Sequence, residues 1–303
     1  MTLLDRIIGG IFRSMEKKNP RPIVKRRDGV YRILDKPFVT KDGTTLKMDI
    51  YMPEWNHREN AGDLPANGNE KLPVVIAVHG GGFFVGSREY YDQAGEDLAT
   101  RGYIVCAAEY RHIPEVRVYE DISDVCDAMN DFVDHIAEYN GDPEKIFITG
   151  DSAGVYLATY VHALGNSAEL RDIVGCEAPR LKMRAMALNF GMYYTNQCGI
   201  TGLMNRCIYG RDERAERIKP YRNPEHPDVI GNYPPTLLIT SDADILKDNS
   251  YKYSKALTER GIDNRLINFG SDKRLTHAFT VMHTDYPESE AALDYADKWF
   301  KEH

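Results

Sequence analysis

Three stretches of the chain hold residue types whose spacing suits nucleophilic acyl chemistry. The first, Gly150-Asp151-Ser152-Ala153-Gly154, reads G-x-S-x-G. The β-branched run Ile146–Thr149 enters it and a helix-forming stretch leaves it, the strand–turn–helix setting in which such a serine stands at the tip of a sharp turn. A hydroxyl there lies at a helix N-terminus, where amide dipoles favour a developing negative charge. The plainer reading is a helix N-cap serine, and the flanking elements favour the nucleophile.

The second stretch is His79-Gly80-Gly81-Gly82-Phe83, directly after an apolar run. Successive glycines let backbone N–H groups approach a ligand closely, and an acyl-transfer site needs such donors at the oxyanion. The N–H groups of Gly81, Gly82 and Ala153 are the expected oxyanion hole. No Lys-Ser/Thr follows, so a Walker phosphate loop is excluded, and G-x-G-x-x-G spacing is absent. His79 reads as a structural residue that holds the loop.

A serine nucleophile also needs a base, and the base needs an orienting carboxylate. With a G-x-S-x-G turn, acid and base follow the serine in that order. The loop after Thr236–Thr240 offers Asp242, Asp244 and Asp248; the stretch after Arg265–Phe269 offers His277 and His283. The residues alone do not choose among these neighbours.

The elements that would position these groups alternate. Residues 31–52 read as a strand or hairpin, and 53–72, with Asn67-Gly68, as a loop. Strands are expected at Val74–Val78, Tyr103–Ala108, Ile146–Thr149, Ala185–Phe190, Thr236–Thr240 and Arg265–Phe269. Helices are expected at 89–101, 120–139, from Ser152, at 248–260 and at 287–301. Such alternation predicts a parallel sheet covered on both faces. Residues 191–235 lack a strand and are too long for a plain loop, so they read as a helical cap over the sheet's carboxyl edge, where ligands bind in open α/β sheets.

Composition narrows the partners. The 303 residues carry a net charge of −8 and no long basic stretch, which disfavours nucleic acid and anionic membranes and suits a neutral small molecule. Five cysteines without a Cys-x-x-Cys pair argue against a disulfide framework or zinc site and suit a reducing, cytoplasmic setting. The N-terminus does not read as a signal peptide, and no stretch approaches a membrane span. Leu3, Leu4, Ile7, Ile8, Ile11 and Phe12 recur at helical spacing, an amphipathic helix expected to pack on its own protein, with membrane-surface contact as the weaker reading. A homo-oligomer is compatible with the sequence.

Taken together, these residues resemble the hormone-sensitive-lipase-like branch of α/β-hydrolase carboxylesterases. The likeness rests on His79-Gly80-Gly81-Gly82-Phe83, on Tyr110-Arg111 with Pro114-Glu115, on Gly150-Asp151-Ser152-Ala153-Gly154, on Asp244-x-Leu246-x-Asp248 and on His277-x-Phe279, in the family's order across about residues 72–300. The resemblance implies an α/β-hydrolase fold and a catalytic triad of Ser152, Asp244 and His277, leaving Asp242, Asp248 and His283 aside. It makes Asp151, Tyr110-Arg111 and Glu115 structural. It implies a cap built from residues 1–30 and 191–235 on a domain spanning 31–303, no cofactor or metal, and hydrolysis of a small ester. An amidase or aryl formamidase with the same triad, and a non-catalytic ligand receptor on this fold, are the alternatives. Phe83, Phe84, Tyr156, Met192 and Tyr193, with Tyr194, are the expected pocket side chains. Val155-Tyr156, where the family has Gly-Asn or Gly-His, and Val116-Arg117-Val118-Tyr119, where it has Pro-Phe-Pro, depart from the pattern and bear on substrate choice.

Overall fold

A computed structural model describes residues 3–18, 24–56, 70–195 and 200–303, and of 200–203 the backbone only. Asn67-Gly68 and Cys198 lie outside the described residues. The strands are β1 (Val30–Val39), β2 (Thr45–Pro53), β3 (Leu72–Val78), β4 (Ile104–Ala108), β5 (Gly141–Asp151), β6 (Met183–Asn189), β7 (Thr236–Thr240) and β8 (Asn264–Asn268). They form one sheet in the order β1-β2-β4-β3-β5-β6-β7-β8. The pairings β1–β2 and β2–β4 are antiparallel; the other five are parallel.

The helices are α1 (Leu3–Lys18), α2 (Asp92–Thr100), α3 (Val118–His135), α4 (Ala153–Asn166), α5 (Ala168–Val174), α6 (Ile200–Tyr209), α7 (Glu213–Arg217), α8 (Pro227–Ile230), α9 (Lys247–Glu259), α10 (Phe279–Met282) and α11 (Pro287–Glu302). The uniform apolarity of β3 has a simple cause. Val74, Ile76 and Val78 face one core and Val75 and Ala77 face the other, so neither side of the strand meets water. The first core is closed by Ile122, Val125 and Met129 of α3, Val155 and Leu164 of α4, and Tyr253 and Leu257 of α9. The second is closed by Leu98 of α2, Phe279 of α10, and Trp299 and Phe300 of α11.

Element boundaries moved where local geometry overrode the apolar run. The helix expected over 120–139 ends at His135 and tightens into a 3-10 turn over Ile136–Tyr139, stopped by Asn140 at φ 56°. That left-handed residue then feeds β5, which begins five residues before its apolar core. Among the described residues, 191–235 contains helices and turns and no strand. Within it, α6 packs on α1 and α3, and α8 packs on α4.

Candidate active site

β5 ends at Asp151 and α4 begins at Ala153, so Ser152 alone makes the turn. It does so at φ 51°, ψ −115°, a backbone state that a residue with a side chain adopts only under constraint. The constraint comes from the strand next door: Ser152 N–H donates to Asn189 O at 3.0 Å, and Ser152 O accepts from Met192 N–H at 3.0 Å. The turn is tight enough that a Cβ on Gly154 would stand 2.0 Å from Val78 O. Only glycine fits there.

His277 precedes α10 in the connection from β8. Its Nδ1 lies 2.6 Å from Asp244 Oδ1 and its Nε2 lies 2.8 Å from Ser152 Oγ. A carboxylate only accepts, so Nδ1 carries the proton and Nε2 is free to accept from the serine hydroxyl. Asp244, its side chain fully buried, is itself held by two donors: Thr240 Oγ1–H to Oδ2 at 2.7 Å and Leu246 N–H to Oδ1 at 2.9 Å. The structure thus joins Ser152, His277 and Asp244 in one hydrogen-bonded chain. It does not bring in their neighbours. Asp242 is exposed and accepts from Asn268 Nδ2 and Lys247 Nζ; Asp248 is exposed in the first turn of α9; the His283 ring stacks on Tyr286. Thr240, the Leu246 amide and the Asn189 carbonyl carry no sequence signal for these roles, since two of them act through the backbone.

The glycine loop follows β3, the neighbour of the strand that leads into the serine. Gly81 has φ 116°, and a Cβ there would stand 1.9 Å from Val85 O. Its carbonyl accepts from the N–H groups of Phe84 and Val85, and Gly80 N–H donates to Asp151 Oδ1 at 2.9 Å. The N–H groups of Gly81, Gly82 and Ala153 find no acceptor among the described residues, leaving them available to an anion. The turn and the loop are therefore tied together by Asp151. Burial pushes its carboxyl up to about 6, against the pull of the His277 imidazole, the Gly80 N–H and the Tyr91 hydroxyl.

His79 lies under the loop. Its Nδ1–H donates to Gly80 O at 2.8 Å, its ring stacks on Tyr110 at 4.1 Å, and burial lowers its pKa to about 3. It is a neutral strut. Tyr110 Oη–H donates to His79 O, while Arg111 grips both oxygens of Asp124. From above, Phe12 of α1 occupies the space beside Gly82: a Cβ there would meet Phe12 Cε1 at 2.4 Å. Phe12 also stacks on Phe84 at 4.9 Å.

The six side chains expected around a pocket are all packed, none more than 9% exposed. Phe83 sits edge-on to Tyr156. Tyr156 stacks on Tyr160 and shares a 2.7 Å hydroxyl–hydroxyl bond with Tyr209. Tyr193 stacks on Tyr253, Phe84 on Phe12, and Met192 lends its N–H to Ser152 O. Tyr194 donates its hydroxyl to Glu225. A cleft of about 490 Å³ between α2, α10 and α11 reaches Thr149 and Asn189 but contains none of Ser152, Asp244 or His277.

Comparison with known proteins gives a consistent answer. A family model described as alpha/beta hydrolase fold matches residues 75–281, and one described as carboxylesterase family matches residues 20–114. The chain is 27% identical over 217 residues to "Probable isoprenylcysteine alpha-carbonyl methylesterase ICMEL1" of Arabidopsis thaliana, covering 67% of this chain and 45% of that protein. It is 26% identical over 273 residues to the ethyl acetate hydrolase of Pseudomonas putida, covering 86% and 80%. It spans only about half the length of the plant relatives. Among solved structures, esterase B of Lactobacillus rhamnosis superposes with a TM-score of 0.79 at 20% identity, over 97% of this chain and 90% of that one.

Proposed function

The chain belongs to the alpha/beta hydrolase fold family, and on that premise we propose that it is a serine carboxylesterase acting on small carboxylic esters. The observation that carries the reading is the chain of hydrogen bonds from Asp244 through His277 to Ser152. In the proposed reaction His277 Nε2 takes the Ser152 proton as Oγ attacks the ester carbonyl. The imidazolium so formed keeps its Nδ1–H on the Asp244 carboxylate, which stabilises the charge and fixes the ring. The carbonyl oxygen, now an alkoxide, accepts from the N–H groups of Ala153, Gly81 and Gly82; one such donor is worth about 3–4 kcal/mol of barrier. His277 then returns the proton to the departing alkoxide, which leaves as the alcohol. Water enters, His277 takes its proton as the oxygen attacks the acyl-enzyme, and the imidazolium returns that proton to Ser152 Oγ as the acid departs. Every step uses side chains and amides of this chain.

The preference for a short acyl group rests on packing. Phe83, Phe84, Tyr156, Met192 and Tyr193 are packed against protein rather than open to a long chain. The relative from Pseudomonas putida is named for ethyl acetate. Among the described residues Cys106, Cys126, Cys176 and Cys207 are free of disulfides, which suits a reducing, cytoplasmic location.

The test is a series of p-nitrophenyl esters from acetate to palmitate plus one p-nitroanilide, run with the wild-type chain and Ser152→Ala. The acetate and butyrate esters are expected to be cleaved best, the anilide poorly, and the alanine variant to be inactive while melting normally. A fast anilide would make the protein an amidase. Hydrolysis by Ser152→Ala, or no labelling of Ser152 by a fluorophosphonate, would end the proposal.

A further inference from the structure

The face of α1 turned away from the protein is apolar and cationic together. Leu3, Ile7, Ile11 and Met15 follow at i, i+4 spacing, which lines them along one ridge. They are 74%, 53%, 53% and 53% exposed. Arg6, Arg13, Lys17 and Lys18 are exposed around them. Both carboxylates of the helix turn inward: Asp5 is buried 3.5 Å from Arg117 Nη1, and Glu16 accepts from Gly86 N–H and the Tyr90 hydroxyl. The outer face therefore bears four positive charges and no negative one, on a chain whose net charge is −8.

An apolar ridge alone would suit either a second copy of the chain or a lipid surface, and the charge decides between them. A two-fold dimer presses the same patch on itself, which would set four cations against four cations. An anionic headgroup layer complements them and accepts the ridge. We infer that the outer face of α1 docks on an anionic lipid surface, with Leu3, Ile7, Ile11 and Met15 immersed and the four cations among the headgroups. No helix among the described residues is long and apolar enough to cross a membrane. The inner face of α1 touches the glycine loop through Phe12. Docking thus holds the carboxyl edge of the sheet close to the lipid, and Ile245, 82% exposed in the loop leaving β7, shares that edge. The inference concerns binding alone and stands whether or not the catalytic reading holds.

The experiment is co-sedimentation of the full chain with vesicles of phosphatidylcholine, and of phosphatidylcholine with about one-third phosphatidylserine. The anionic vesicles are expected to bind at least about tenfold more protein, and raised salt to release it. Arg6→Gln and Arg13→Gln should each weaken partition about fivefold, the equivalent of roughly 1 kcal/mol per cation near such a surface. Ile7→Ser/Ile11→Ser should lower binding by about tenfold or more while leaving the melting temperature and p-nitrophenyl acetate hydrolysis unchanged. Should that double variant unfold, the two arginine variants carry the test. Equal sedimentation with both vesicle types, or wild-type binding by the arginine variants, overturns the inference. So does a concentration-dependent dimer in light scattering that Ile7→Ser/Ile11→Ser abolishes without vesicle binding, which would make the ridge a dimer contact.

Discussion

Replacing Asp244 by asparagine separates charge from orientation at this site. Among the described residues Oδ1 accepts from two N–H donors, His277 Nδ1–H and Leu246 N–H, whereas Oδ2 accepts from the Thr240 hydroxyl alone. An asparagine side chain therefore has one good placement. Its carbonyl oxygen takes the Oδ1 position, and its NH2 points at Thr240 Oγ1, which can accept. The reverse placement would set N–H groups against the Leu246 amide. In the good placement His277 keeps its proton on Nδ1 and Nε2 still faces Ser152. What is lost is the negative charge opposite the imidazolium. A hydrogen bond to a charged partner contributes about 1.5–3 kcal/mol and a neutral one about 1, so the difference is about 0.5–2 kcal/mol, or roughly 2- to 30-fold in kcat. Asp244→Ala removes the orienting group as well and should cost about 10⁴-fold. The assay is kcat for p-nitrophenyl acetate in the three proteins, with near-neutral pH held fixed. If Asp244→Asn falls as far as Asp244→Ala, the imidazole has changed tautomer and the role given to the Leu246 amide is wrong.

Gly154→Ala should lower stability by about 3 kcal/mol or more, because backbone carbonyls cannot move from a Cβ as a flexible side chain would; urea unfolding at neutral pH measures it. Two buried titratable groups act on stability with opposite signs. The folded pKa of His79 is about 3, below its ordinary 6.5, so the unfolded chain takes the proton first and stability falls as pH drops below 6.5, by about 2 kcal/mol at pH 5. His79→Gln should flatten that part of the profile. The folded pKa of Asp151 is about 6, above its ordinary 3.8, so its penalty grows as pH rises through that window, to about 3 kcal/mol at pH 7. Asp151→Asn should accordingly gain stability at pH 7 relative to wild type and lose that gain by pH 4; an unchanged difference across that range would refute the assignment.

The sheet was legible because its central strands are buried on both faces. Val74–Val78 and Thr236–Thr240 have no polar alternate, and both strands lie where those runs do. The serine turn was legible because Gly150 and Gly154 mark a place where backbones touch. The loops bearing acid and base were visible, but not the residues, since Asp242 and Asp244 differ in burial and partners and hardly in sequence setting. Resemblance to a family singled out Asp244; in the structure Thr240 and the Leu246 amide receive its two oxygens. The tie between Gly80 and Asp151 spans 71 positions, and no spacing rule reaches that far. Tyr156 and Tyr193 illustrate the opposite difficulty: an aromatic residue near a motif reads equally as pocket wall or as packing, and in the structure both rings stack on other tyrosines.

The backbone of Ser152 carries one further implication. At φ 51°, ψ −115° the strain of holding a Cβ is of order 1–3 kcal/mol, while glycine's extra freedom in the unfolded chain costs roughly 0.5–1. Judged by folding alone, residue 152 ranks glycine ahead of alanine, the reverse of the usual order beside a helix. The serine is the point where local preference and overall fold disagree. A copy of this sequence released from any demand for chemistry would drift at 152 before it drifted in the sheet, and toward glycine.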